Sequence, residues 1–477
     1  MLRRKRWVLA VLIAVFGVVL YPRPPYQLLH PDSYSYIEHH SARGVLYSCF
    51  LDGLFENDAA SVVRRAGGPD APGVSNHFAR VAWAQWAIFL ATMWALLQFL
   101  SRWGIVYPLL MTALFFGHYW IFPESHVLGN LRVHLWFVLT EGLSFSWVLG
   151  LVLLALGWAD RKRSSIFQGV FFGLFCFLGV ELSSRFLPLA LLAASSALVV
   201  GLFGSLTVKA RQSILGAVPL ATCVLCLIVR FSVTWWNYGV FSQTPLNAVS
   251  ITAVAIQFGD ASLENEFSDP LQREYVHRIF NHRYRAENLS DGHEINWVNR
   301  NLYGIGLGAY EEMTGINIGP DRMPEYNRFI DPIVKKIMAA KVTRGRWWSW
   351  LKREIVWLWE KRAFISPWHL FLVVWFFGLA AMQTVKRPLT LALGVLSLMP
   401  VANLVLSLSL QGFEARYPIT GELLVPILST FAIVALAETT LKVLRRYFGI
   451  SGNPLHRFFQ RFQHKGQLGL REAGVNP

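Results

Sequence analysis

The sequence predicts an all-α polytopic membrane protein, and three observations carry that prediction. Of its 477 residues 54% are apolar and only 15% are charged, against roughly 25% charged in an ordinary soluble domain. The apolar residues collect in runs long enough to cross a bilayer, about 20 residues with allowance for tilt. The net charge of +15 is not spread over a surface as nucleic-acid binding would require. Its lysines and arginines sit beside the apolar runs, which excludes nucleic acid as a partner and points to membrane lipid.

About ten such runs follow one another: Trp7–Tyr21, Val81–Leu100, Ile105–Phe122, Leu131–Trp158, Ile166–Ser183, Leu187–Gly204, Ile214–Val233, Trp368–Val385, Leu389–Leu410 and Leu423–Leu441. The first, behind Arg3, Arg4, Lys5 and Arg6, has the basic and apolar regions of a signal peptide. It ends in Leu20-Tyr21-Pro22-Arg23-Pro24-Pro25, which offers no small-x-small cleavage site, so an uncleaved anchor is expected. With the amino terminus inside, the inner connections hold Arg102, then Arg161-Lys162-Arg163, Lys209 and Arg211, Lys386-Arg387, and Lys442, Arg445 and Arg446. Every inner turn is then positive, as insertion favours. Both termini are expected in the cytoplasm of a bacterial cell, with the chain in its inner membrane.

The same count places 21–80, Pro123–Asn130, Thr234–Pro367 and Gln411–Glu422 outside, and two of these far exceed what a helix–helix connection needs. The expected organisation is an amino-terminal transmembrane module (1–233) containing the first outer loop (21–80), an extracytoplasmic segment (234–367), carboxy-terminal transmembrane helices (368–441) and a basic cytoplasmic tail (442–477). Tyr34–Phe55 carries apolar residues at helical spacing, as helices lying on a membrane face do. Trp347–Trp359 does so more strongly. Its tryptophans, Leu351, Ile355 and Leu358 are expected on one side, with Lys352, Arg353, Glu360 and Lys361 opposite. The middle of the outer segment, Gln257–Asp331, is soluble-like and predicts short helices, with Gly304-Ile305-Gly306-Leu307-Gly308 read as a loop. That glycine run lacks the preceding strand of a dinucleotide site.

Cys176, Cys223 and Cys226 fall within apolar runs and read as small hydrophobes; Cys49 has no extracellular partner. His39-His40 is too close a pair for two ligands on one helix face, and His118 and His134 are lone residues in spans.

The first outer loop is where ionisable residues concentrate: His30, Asp32, Glu38, His39, His40 and Arg43. Pro31-Asp32-Ser33 reads equally as a helix cap and as the setting of a functional carboxylate near a membrane face. Here a resemblance enters. Pro31-Asp32-Ser33-x-x-Tyr36-Ile37-Glu38, followed by Arg43-Gly44-x-Leu46-Tyr47, resembles the first outer loop of the GT-C glycosyltransferases, with Ser48 where proline is usual. Those polytopic enzymes move a sugar from a polyprenyl-phosphate carrier to an acceptor. The resemblance implies that Asp32 is the catalytic carboxylate.

Further stretches agree in order. Val138–Leu154 resembles the acidic residue at the outer end of a mid-chain span, carried by Glu141. Glu181–Leu192 is similar to the step between two spans, carried by Arg185. Arg230–Leu246, with Arg230 and Asn237, resembles the exit from a span, and Phe413–Leu428, with Arg416 and Tyr417, a late outer loop. Gln257–Trp347 matches nothing in the family.

The chemistry of the residues is compatible with that resemblance. A glycosyl transfer outside the cytoplasm needs a donor anchored in the bilayer, with a phosphate at headgroup level that requires cations. Arg43, Arg185, Arg230 and Arg416, with Tyr47, Asn237 and Tyr417, are the candidates for that phosphate, because a guanidinium pairs with its oxygens as a fork. Arginines at helix ends also snorkel without any ligand. Asp32 is suited to take the acceptor's proton, with Glu141 and Glu124 as orienting groups, alternative bases or helix caps. No cofactor is required. A divalent cation, Mg2+ or Mn2+, could sit between Asp32 and Glu141, since some members of the family use one, but the spacing does not demand it. The expected partners are a polyprenyl-phosphate-linked sugar and an extracytoplasmic glycan, lipid or protein acceptor. A transporter or lipid-linked glycan flippase is the competing class, though the sequence shows no inverted repeat.

Overall fold

The computed structural model describes residues 2–22, 45–55, 78–121, 140–160, 165–183, 186–204, 210–242, 245–289, 295–316, 322–360, 367–382, 387–411 and 423–448, with isolated positions at 37, 60, 61, 63 and 318. Among them there is helix and no strand. In every apolar run found in the sequence, the described residues are largely helical. They form α1 (Leu2–Val19), α3 (Ala79–Leu100), α4 (Val106–Ile121), α5 (Thr140–Asp160), α6 (Ile166–Leu182), α7 (Leu187–Phe203), α8 (Ala210–Tyr238), α14 (Pro367–Met382), α15 (Arg387–Ser397) with α16 (Met399–Gln411), and α17 (Leu424–Phe448). Between them lie α2 (Val45–Phe55) and the helices of the 245–360 segment: α9 (Pro245–Phe258), α10 (Pro270–Leu289), α11 (Ile295–Thr314), α12 (Met323–Ala339) and α13 (Lys341–Glu360). Among the described residues, five helical stretches are long and apolar enough to cross a membrane: Ala79–Leu100, Gly142–Asp160, Gln212–Tyr238, Arg387–Val405, which runs on through the turn at Leu398, and Leu424–Leu441.

Local sequence explains the helix boundaries. Ser165 opens α6 with a capping box: its hydroxyl accepts from the Gln168 amide, and the Gln168 side chain accepts from the Ser165 amide. The turn from α3 to α4 closes on Gly104, at φ +140°, where a side chain would be strained. The run Leu389–Leu410, expected as one span, divides at Leu398 into α15 and α16. Pro400 supplies no amide to the ladder there and so marks the break.

Within 1–429, one of the chain's two compact units, α7 packs against α8, α15, α5 and α6. Glycines permit the closest approaches. The Gly201 and Gly216 backbones meet where α7 crosses α8, and Gly173 faces the carbonyl of Pro219, the proline inside α8. Close backbone approach through small residues is how apolar helices associate in a bilayer, where lipid removes the hydrophobic drive between them. Cys176 and Cys223 are buried in this packing as small apolar side chains. The unit 430–477 is described only through the end of α17.

The 245–360 segment has its own core, and its helices are longer than the short ones expected. Tyr326, Ile330, Ile333, Val334 and Ile337 follow helical spacing along α12 and pack with Ile256, Phe267, Tyr275, Ile279, Phe280 and Tyr310. The Gly304–Gly308 stretch, expected as a loop, lies inside α11. The reason is packing: a Cβ on Gly306 would stand 2.9 Å from the Tyr326 hydroxyl and 3.3 Å from that of Tyr275. Glycine is there to admit two buried tyrosines rather than to turn the chain.

Helix α13 also corrects an expectation, because its tryptophans do not share one face. Trp350 and Leu351 are buried, and the Trp350 ring lies 5.3 Å from Phe258. Trp348, Trp357 and Trp359 remain exposed.

Candidate functional site

Of the residues singled out in sequence, Asp32, Arg43, Arg185, Arg416 and Tyr417 lie outside the described residues, as do Glu124, His39, His40 and His134. Glu141 is placed in the first turn of α5, with its side chain outside the description. Tyr47, Arg230 and Asn237 are described in full, and they allow the site to be built from three helix contacts.

The first contact joins α2, α3 and α5. Tyr47 is fully buried and donates to Gln85 Oε1 at 3.5 Å. That amide, itself fully buried, rests against the backbone of Gly142, where a Cβ would stand 2.0 Å from Oε1. Tyr47 is therefore linked through Gln85 to the residue beside Glu141. Arg80 fixes the entrance to α3: its guanidinium donates to the Leu54 carbonyl at 2.9 Å and lies over the Phe55 ring.

The second contact joins α5, α6 and α7. The Trp147 indole donates to the Phe175 carbonyl at 2.8 Å, and its ring fills the space left by Gly179. Its other neighbour is Phe186, at 5.5 Å between ring centroids, the residue that follows Arg185. Gly150 faces Phe175 while Gly179 faces Trp147, so the two helices run antiparallel. The last turn of α6 accordingly lies level with the first turns of α5.

The third contact is an ion pair on that last turn. Glu181 Oε1 and Arg230 Nε are 3.2 Å apart, with side chains only 11% and 21% exposed. The pair lacks hydrogen-bond alignment and is held by charge. Arg230 sits roughly two turns before the end of α8, within an otherwise apolar stretch. A charge in that setting requires a partner, and Glu181 provides it. Asn237 lies farther along α8 and is exposed. The helix end beyond it is anchored by a different asparagine, Asn327, which donates to the Tyr238 carbonyl at 3.2 Å.

The arrangement brings Tyr47, the α5 turn bearing Glu141, and Arg230 to one end of a packed helix set. It does not bring Asn237 into it. Gln85, Trp147 and Glu181 are the members that sequence reading missed. Glu181 left a signal, an acidic residue ending an apolar run with an arginine in the apolar run two helices later. Gln85 and Trp147 left none, because a lone glutamine or tryptophan in a span says nothing of its neighbour. Among the described residues no group of three or more His, Cys, Asp or Glu side chains converges on a metal position. Compared with known proteins, the chain matches no family model, no curated protein and no solved structure.

Proposed function

We propose that this chain is a GT-C-type glycosyltransferase of a bacterial inner membrane, with about ten spans and both termini cytoplasmic. It moves one sugar from a polyprenyl-phosphate carrier to an extracytoplasmic glycan, lipid or protein. The observation that supports this reading is the convergence of Tyr47, the Glu141 turn and Arg230 on one end of the helix set. These belong to three of the separate stretches on which the family resemblance rests.

In this reading Asp32 takes the proton of the acceptor while the cations carry the charge of the leaving phosphate. Glu181 holds Arg230 through Nε, and the terminal nitrogens of the guanidinium make no hydrogen bond to a described residue. That leaves the fork of Arg230 to grip phosphate oxygens. Arg43, Arg185 and Arg416, with Tyr417 and Asn237, complete the proposed donor site. The flippase reading shares the ion pair but predicts movement of the carrier lipid without cleavage of its sugar–phosphate bond.

The deciding experiment is turnover of purified polyprenyl-phosphate sugar by the reconstituted protein. Asp32→Asn keeps a capping side chain and removes the base, so a loss on the order of 10²–10⁴ in rate is expected at unchanged protein abundance. Glu141→Gln is the control. Near-normal turnover by the asparagine variant beside a dead glutamine variant moves the base to Glu141. Silence of both, with rescue by added Mn2+ or Mg2+ after chelation, points to a shared metal.

A further inference from the structure

Outside the helix set just described, the described residues form an open groove of about 700 Å3 between the end of α9 and the first half of α13. Its floor is apolar, formed by Phe258 and the buried Trp350. Its rim is cationic: Lys341, Lys352 and Arg353 line it. Arg346 lines it too but is already committed, donating to Asp260 Oδ2 at 2.6 Å and to the Gly259 carbonyl at 3.0 Å. That contact also neutralises the nearby Asp260. Lys341, Lys352 and Arg353 have no ion pair with a described residue; Glu354, next to Arg353 and within reach of its charge, offsets part of it, and three cations against this one acid leave the groove net positive over an apolar base.

The helix continues this pattern in the direction of its exposed apolar residues. Val356 lies one turn beyond Lys352, and Trp357 one turn beyond Arg353, on the same faces. Both are 45% exposed, and Trp348 and Trp359 are exposed beside them. Exposed tryptophans next to lysine and arginine are the composition of a membrane–water boundary. The same helix touches α16, one of the apolar helices, and is followed by the apolar α14.

We propose that this groove binds one anionic phospholipid. Its phosphate is held by Lys341, Lys352 and Arg353, and an acyl chain leaves along Val356 and Trp357. Charge complementarity selects the headgroup, and the apolar step one turn away selects a lipid over a soluble anion. The site rests on the membrane reading of the chain and is independent of the enzymatic one. A protein that turns over no sugar would still show it.

The test uses the full chain purified in detergent, titrated with phosphatidylglycerol, phosphatidylcholine or inorganic phosphate and read by native mass spectrometry as lipids retained per chain. The native protein should retain one phosphatidylglycerol about tenfold more tightly than phosphatidylcholine, with no displacement by inorganic phosphate. Lys341→Gln/Lys352→Gln/Arg353→Gln should retain one phosphatidylglycerol fewer. Val356→Ser/Trp357→Ser should weaken retention while keeping the headgroup preference. If the triple variant loses its cooperative melting transition, Lys352→Gln/Arg353→Gln carries the same comparison. Equal retention of the two lipids, or unchanged retention by the charge variants, overturns the proposal. Displacement by inorganic phosphate overturns it as well, by assigning the groove to a soluble anion.

Discussion

Arg230 Nε and Glu181 Oε1 lie 3.2 Å apart on neighbouring apolar helices, and each charge depends on the other for its place there. Removing one partner of a fully buried pair costs about 3–5 kcal/mol, because the other is left uncompensated, whereas replacing both by apolar groups can be neutral. With side chains 11% and 21% exposed, the single loss here should be smaller, about 1–3 kcal/mol. Glu181→Ala should therefore lower the melting temperature of the purified protein more than Glu181→Ala/Arg230→Met does. If the double variant is the less stable of the two, the pair is not coupled as the geometry implies.

The helices were readable in the sequence because bilayer solvent imposes one rule on the whole length of a run. The side chains between helices were not. Leu187–Gly204 announces itself by composition, while the wedge of Trp147 into Gly179 depends on a register that no single run contains. Gly304–Gly308 failed in the opposite sense. Its glycines resemble a loop, and only the tyrosines of two other helices show why glycine is needed within α11. Position along the helix misled in α13 as well, since burial of Trp350 against Phe258 is decided by the neighbouring helix α9. In the candidate site, the family resemblance pointed to Tyr47, Glu141 and Arg230. Of the residues that connect them, Glu181 left a trace in the sequence, and Gln85 and Trp147 left none.

Gly179 and Gly142 offer a graded test of the α3–α5–α6 packing. A Cβ at Gly179 would stand 1.9 Å from two atoms of the Trp147 ring. That ring is rigid and tied to the Phe175 carbonyl. A Cβ at Gly142 meets the end of the Gln85 side chain, which can rotate away at the loss of its contact with Tyr47. Overpacking of this kind costs about 1–3 kcal/mol, and more where nothing yields. Gly179→Ala should be the more damaging of the two in thermal melting. Comparable tolerance of both alanines would mean that α6 slides relative to α5.

The core of the 245–360 segment should be sensitive to alkali through two buried tyrosines. Tyr275 donates to the Gly306 carbonyl at 3.2 Å, and its hydroxyl lies 3.3 Å from that of Tyr326. Burial pushes Tyr326 up to about 12 and holds Tyr275 well above its ordinary value, with the Tyr326 charge adding to the second effect. Both groups hold their protons more firmly folded than unfolded. Their contribution is complete below the ordinary value of 10.0 and is lost as pH rises through the folded values. Tyrosinate absorbance from this pair should thus appear together with loss of the helical signal above pH 10. Tyr275→Phe should cost about 1–3 kcal/mol by stranding the Tyr326 hydroxyl, and Tyr326→Phe about 1 kcal/mol. Titration of both tyrosines ahead of unfolding would contradict their burial.

The acid side is governed at one junction by Asp260, where α9 passes into the short 3-10 helix Ala261–Glu266. Its carboxylate accepts from the Ser262 amide at 3.0 Å and from Arg346 on α13 at 2.6 Å. The hydrogen bonds from Ser262, backbone first, and then that from Arg346 hold its pKa below the ordinary 3.8. A depressed value means that the folded state binds the proton less readily than the unfolded one. The contribution of Asp260 is therefore present above about pH 4 and disappears as pH falls through the folded value. Asp260→Asn keeps the cap and removes the ion pair, so it should lower stability by about 0.5–1 kcal/mol at neutral pH. The gap between native and variant melting temperatures should then close as pH drops below 3.8. Arg346→Gln should abolish most of the difference at neutral pH, because the two changes remove the same contact. A gap that stays constant down to pH 3, or that survives in the Arg346→Gln background, would show that Asp260 acts on the fold by some route other than this carboxylate.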